Sequence, residues 1–194
     1  MYDKYTEEVS EKDRIFNIAV GLLEKVGYEN MSVRRICKDA DISVGKFYTY
    51  FQNKQEILLY FYEQAEQKLN EKIQKKDFSQ MTLQKKIVVF YTIYMEYISS
   101  FGVEFVMHYF DHQNSAMDIH HNNNFIMEVT DRFMMQAVQN GYQIPRGRGI
   151  HDLSIDICMI AKGVIFTWVA ERGGFSLSEV TGDLLERTLA GILP

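Results

Sequence analysis

Between residues 32 and 54, Ser32, Arg34, Arg35, Lys38, Ser43, Lys46, Tyr48, Thr49, Tyr50 and Lys54 share one short stretch, opposed only by Asp39 and Asp41. Guanidinium, ammonium and hydroxyl groups crowded in this way offer non-covalent chemistry: they bind phosphate oxygens and base edges. The spacing predicts two short helices joined by a tight turn at Asp41-Ile42, with Val33, Ile36, Cys37 and Ala40 inward in the first and Phe47 inward in the second. Such a unit fits the major groove of DNA, which admits one α-helix and displays the full base code. The second helix, residues 43–50, then faces the groove, with Ser43 as its cap. Gly45 lets the backbone come close, while Lys46 and Thr49 reach base edges or phosphates. Tyr48 and Tyr50 offer hydroxyls to phosphates and rings to thymine methyls. Lys54 is expected in the first turn of the next helix, sharing a phosphate with its N–H groups, and Arg34 and Arg35 clamp the backbone opposite. The competing reading of the same residues is a helical hairpin with a solvated basic face.

Histidine is the other chemistry-bearing group. His108 and His112 are four apart, a helical spacing that can put two imidazoles on one metal, with Asp111, Asp118, His120 and His121 close in sequence. A metal needs three or four convergent ligands, and the run at 120–124 reads as the start of an exposed loop. No metal is therefore assigned, and a hydrogen bond from His108 or His112 to a polar group of a ligand stands as the other role. No nucleophile elbow, phosphate loop, dinucleotide fingerprint or zinc-protease motif occurs, so no catalytic residue and no cofactor are assigned. Cys37 and Cys158 lie far apart in apolar helical patterns, which implies a reducing compartment without disulfides.

These groups need elements to hold them. The chain has 194 residues, 46% of them hydrophobic and 24% charged, and only two prolines, at 145 and 194. An all-α fold of about nine helices is the expectation. Helix 10–26 carries Ile15, Ile18, Ala19, Leu22, Leu23 and Val26 on one stripe, with Ser10 as cap and Gly27 as stop. Ser32 caps the next helix, and Asn53 with Glu56 resembles a capping box opening a linking helix over about 53–74, through Ile57, Leu58, Phe61, Ala65 and Leu69. Further helices are predicted near 82–99, 101–112, 122–140, 152–171 and 177–191, with a loop at 141–149 and a capping box of Ser176 and Glu179. The domain division is 1–52 and 75–194, joined by the linking helix. Residues 1–14 lack an apolar run, so no signal peptide is expected. The most apolar run, 153–170, holds Asp156 and Lys162, so no membrane span is expected either, and the location is cytoplasmic. The net charge of −5 is compatible with nucleic acid only because the positive surplus is local.

Gly27-Tyr28, Met31-Ser32-Val33, Ile36, Ala40, Ile42-Ser43-Val44-Gly45, Phe47-Tyr48, Tyr50-Phe51 and Lys54 resemble the N-terminal signature of TetR-family transcriptional regulators, over roughly residues 12–60. The resemblance implies a three-helix DNA-binding domain, a fourth helix leading to an effector domain, and a homodimer on a palindromic operator. It assigns phosphate contacts to Ser32, Tyr48 and Lys54, and groove-facing positions to Val44, Gly45, Lys46 and Thr49. Asp41 departs from the turn glycine common in the family, and Cys37 from its usual alanine.

The second half resembles the family far less. Its helices are dense in Met and aromatics, which suit a cavity for a small hydrophobic or aromatic effector as readily as an ordinary core. Tyr94, Phe105, His108, Tyr109, His112, Phe133 and Trp168 are the candidate ligand contacts. Helix 152–171 is apolar over more than one face (Ile155, Met159, Ile160, Gly163, Val164, Phe166, Thr167, Trp168). With Val180, Leu184, Leu185, Leu189 and Ile192 it suggests a four-helix interface between two protomers, against the simpler reading that both helices complete one core. The expected function is a ligand-responsive repressor released when its effector shifts the linking helix. A helical small-molecule binding protein without a DNA role and an effector-independent DNA-binding regulator are the competing functions.

Overall fold

The computed structural model describes residues 10–110, 124–144 and 147–193. Among them are nine helices and no strand: α1 (Glu11–Val26), α2 (Val33–Asp39), α3 (Val44–Tyr48), α4 (Glu56–Gln74), α5 (Leu83–Ser99), α6 (Val103–Tyr109), α7 (Asn124–Gln139), α8 (Ile150–Ala170) and α9 (Leu177–Ile192). The chain divides into two compact units, residues 1–61 and 62–194, with the division falling inside α4.

Most helix starts follow from a hydroxyl that accepts an otherwise unpaired backbone N–H of the first turn. Ser10 accepts from Asp13 at 3.1 Å, Ser43 from Lys46 at 3.1 Å, Thr82 from Lys85 at 3.3 Å and Ser176 from Glu179 at 3.4 Å. The opening of α4 departs from the expected box. Asn53 Oδ1 accepts from the N–H groups of Gln55 and Glu56, but the Glu56 carboxylate reaches back to the N–H of Gln52 rather than that of Asn53. The helix begins at Glu56, which leaves Lys54 ahead of it.

Two other boundaries shift for backbone reasons. Gly102 has φ +81, so α6 starts at Val103 instead of running on from residue 101. The Asp152 carboxylate accepts the Gly149 N–H at 3.0 Å and starts α8 two residues earlier than predicted. The turn before α3 places Asp41 at φ +50, the left-handed region where glycine is usual.

In the first unit, α1 buries Ile15, Phe16, Ala19, Leu22 and Leu23. They share the core with Ile36, Ala40, Phe47, Phe51, Ile57 and Phe61, while Ile18 and Val26 stay half-buried. In the second unit α5 packs chiefly on α9, and α8 on α7, α9 and α6. Phe90, Tyr91, Met95, Phe105, Ile157, Ile165, Leu185 and Leu189 are all but inaccessible there. Burying each such large side chain contributes about 1.5–3 kcal/mol. The side chains of Ala65 and Ile192, and all of Asp111, His112, Asp118, His120 and His121, lie outside the described residues.

Candidate nucleic-acid interface

α3 is a one-and-a-half-turn helix held by one aromatic. Phe47 is fully buried, with its ring 5.7 Å from Phe51 and edge-on to Tyr48 at 5.6 Å. Anchoring Phe47 inward turns the other side of the helix out: Val44 is 42% and Tyr48 54% exposed, and Gly45, Lys46 and Thr49 are exposed beside them. A Cβ at Gly45 would meet nothing nearer than the Ser43 Oγ at 3.9 Å. Packing within the chain does not require glycine there, and the outer backbone of α3 is open to close approach. Tyr50, after the helix, is half-buried.

The cations around α3 differ in what already holds them. Arg34 is exposed on the first turn of α2. Arg35 donates to the Asn30 carbonyl at 3.0 Å, and its backbone N–H is capped by Ser32 at 3.4 Å. Lys54 is half-buried: its Nζ donates to the carbonyls of Tyr28 (3.0 Å) and Met31 (3.4 Å) and sits 4.0 Å from the centre of the Tyr28 ring. Lys54 therefore ties the α1–α2 connection to the start of α4, a task not foreseen from sequence. The Thr49 hydroxyl donates to the Lys46 carbonyl at 2.7 Å, so its proton is used within α3.

Lys46 pairs with Glu11 on α1 at 3.0 Å. The same carboxylate receives both Nε and Nη2 of Arg14, at 2.9 and 3.1 Å, and Arg14 Nη2 also donates to the Ala40 carbonyl at 2.8 Å. Hydrogen bonds from Arg14, then from Lys46, hold the Glu11 carboxyl down at about 2. The roles of Glu11, Arg14 and Tyr28 were missed in the sequence because Glu11 meets Lys46, Arg14 the Ala40 carbonyl and Tyr28 the Lys54 ammonium across long stretches of chain. Burial raises the Cys37 thiol above its ordinary range, and likewise Cys158. Both are therefore protonated thiols at neutral pH.

In the second unit most of the expected ligand contacts are packed into the core. Phe105 is fully buried between the rings of Phe101 (5.4 Å) and Tyr109 (6.0 Å, nearly parallel). Phe133 meets Phe78 at 5.2 Å and Phe90 at 6.1 Å, and Trp168 Nε1 donates to the Phe175 carbonyl at 2.9 Å. Tyr94 and His108 are half-exposed, and His112 is outside the described residues. An open cleft of about 910 Å3 lies elsewhere. Lys72, Lys75, Lys76 and Lys85 line it with Glu96, Glu179, Asp183 and Glu186, around Val88, Val89 and Ile93. None of the expected contacts borders it. Among the described residues no three His, Cys, Asp or Glu side chains converge as metal ligands.

α8 is long and apolar enough, by length and composition alone, to cross a membrane. In the fold one side of it is buried through Leu153, Ile157, Ala161, Val164, Ile165 and Trp168. The other side leaves Ile155 (37%), Met159 (58%) and Phe166 (76%) exposed, with Val180 of α9 at 39%.

A capped helix, a left-handed turn and a second helix with an outward basic and aromatic face define a helix-turn-helix DNA-binding domain. Residues 15–61 match the family model described as bacterial regulatory proteins, tetR family. The chain therefore carries, at its N-terminus, the DNA-binding domain of that family of transcriptional regulators. It is 20% identical over 183 residues to the fatty acid metabolism regulator protein of Bacillus subtilis (strain 168), covering 92% of this chain and 94% of that one. Its fold is similar to that of the fatty acid degradation regulator FadR from Bacillus halodurans (TM-score 0.79, 17% identity, 96% and 98% of the two chains). It is likewise similar to FadR from Bacillus subtilis, solved in complex with stearoyl-CoA (TM-score 0.72, 21% identity, 92% and 98%).

Proposed function

We propose that the protein is a cytoplasmic repressor that binds a palindromic operator as a homodimer and releases it on binding a long-chain acyl-CoA. The observation that carries the reading is the outward face of α3 within a domain that matches the TetR-family model. Val44, Gly45, Lys46, Tyr48 and Thr49 face the groove. Ser32, Arg34, Arg35, Tyr48, Tyr50 and Lys54 set the domain on phosphates, with Ser43 capping the reading helix. The exposed Ile155, Met159 and Phe166 of α8 and the exposed Val180 of α9 support a self-complementary contact through these two helices. Two copies joined there bring two α3 helices to successive major grooves, about 34–36 Å apart.

The effector class is supported by the stearoyl-CoA bound to the Bacillus subtilis relative and by the aromatic and Met content of α5–α8. Tyr94, Phe105, His108, Tyr109, His112, Phe133 and Trp168 remain the proposed contacts, by rearrangement of the packed rings where they are now closed. An effector in the second unit acts on the first through α4, which belongs to both. It must bind the two states of that helix unequally to shift them. The test is selection of bound duplexes from a random pool, followed by titration of the selected duplex with stearoyl-CoA, stearate and CoA. Enrichment of a palindrome, released by stearoyl-CoA alone, is the expected result. Enrichment of no sequence would remove the repressor reading.

A further inference from the structure

Lys46 is the one cation within the reading helix α3, yet in the free protein it is already engaged. Its ammonium carries three N–H groups, and the contact at 3.0 Å gives one of them to Glu11 Oε1. Glu11 is itself fixed from the other side. Arg14 takes both of its oxygens and anchors to the Ala40 carbonyl, at the end of α2 and next to the left-handed turn at Asp41. Carboxylate, guanidinium and carbonyl thus form a brace from the first turn of α1 across the helix-turn-helix to Lys46. A lysine on a free stem is a compact point charge that takes any phosphate within reach. A lysine with one N–H committed keeps two for acceptors in a restricted arc. The O6 and N7 of a guanine are such a pair of acceptors.

We propose that Glu11 is a positioning residue for DNA specificity, holding Lys46 as a reader of base edges and withholding it from the phosphate backbone. The inference rests on the DNA-binding role proposed above. It assigns function to a carboxylate on α1, outside the two helices that form the motif. Glu11 is charged at every pH at which a regulator works, so the brace is not a pH switch.

The experiment compares wild type, Glu11→Gln, Lys46→Met and the double variant on two probes: the duplex that wild type selects from a random pool, and a 30-base-pair duplex of random sequence. Each is measured across a salt series. In Glu11→Gln the freed ammonium finds a phosphate. Affinity for the random duplex should then rise about five-fold at low salt, and its log–log salt slope should steepen by about 0.9, one additional counterion. Affinity for the selected duplex should fall, and base preference at one position per half-site should relax. Lys46→Met should relax the same position, and Glu11→Gln should change nothing further in its presence. The inference is overturned if Glu11→Gln alters both duplexes by the same factor, or if its effect persists without Lys46, because the carboxylate then acts only as a repelling charge. Wild type that binds neither duplex in a salt-dependent way defeats the DNA-binding reading itself, a separate and recognisable result.

Discussion

Two residues of the motif do more than their types announce. Lys54 was expected to meet phosphate, yet two of its N–H groups go to the Tyr28 and Met31 carbonyls and its charge lies over the Tyr28 ring. Replacing it with Met should therefore lower stability by about 1–2 kcal/mol as well as weaken DNA binding at all sequences. Thermal unfolding beside a mobility-shift titration checks this, and an unchanged melting temperature with weakened binding would restore the simple phosphate role. Asp41 occupies φ +50 without a glycine, so Asp41→Asn should fold normally and bind any duplex more tightly at low salt, the gain vanishing at high salt. Asp41→Val should cost about 1–2 kcal/mol, because a branched side chain does not tolerate that conformation. Glu11 adds a pH signature. Its carboxyl drops from 4.5 to about 2 on folding, so its contribution is complete above pH 4.5 and is lost as pH falls towards 2. The melting-temperature gap between wild type and Glu11→Gln should be flat from pH 8 to 5 and close below that. Serine caps were legible in the sequence because each bridges three residues. The pairs Glu11–Lys46 and Tyr28–Lys54 were not, since they join residues far apart in the chain.

At the scale of elements, α8 shows where pattern reading stops. Its composition said that more than one face is apolar, but with so few polar residues the 3.6-residue period cannot tell the inward face from the outward one. The structure separates them: Val164 and Trp168, both offered from sequence as interface, belong to the unit's own core, as do Leu185 and Leu189 of α9. Ile155, Met159 and Phe166 are left outside. Gly163 lies among the exposed residues, and a Cβ built there meets nothing within 4 Å. Gly163→Trp should thus leave the protomer folded with its melting behaviour at high dilution unchanged, while preventing a second copy from approaching. Sedimentation should show a monomer, and affinity for a two-half-site operator should fall by about 100-fold, since one docked protomer no longer helps the other. A dimer that survives both Gly163→Trp and Phe166→Glu would move the interface elsewhere.

For the whole molecule, a chain of net charge −5 binds DNA only where its cations are concentrated. If, as proposed, Arg34, Arg35 and Lys54 of two protomers make about six phosphate contacts, operator affinity should fall with a log–log salt slope of about −5. Control by a ligand adds a stricter condition. If stearoyl-CoA releases the operator by some factor, saturating operator must weaken stearoyl-CoA binding by the same factor, because one coupling free energy links the two sites. The measurements are independent: operator titrations with and without stearoyl-CoA, and stearoyl-CoA titrations with and without operator. At 100 times its dissociation constant the effector should also stabilise the free protein by about 2.7 kcal/mol, a rise in melting temperature of roughly 5–10 °C for a chain of this size. Stabilisation without reciprocal release would mean that the second unit holds the thioester without changing the separation of the two α3 helices. The acyl-CoA would then be cargo, and the signal that frees the operator would have to enter by another route, for which the lysine-lined cleft between α4, α5 and α9 offers the open surface.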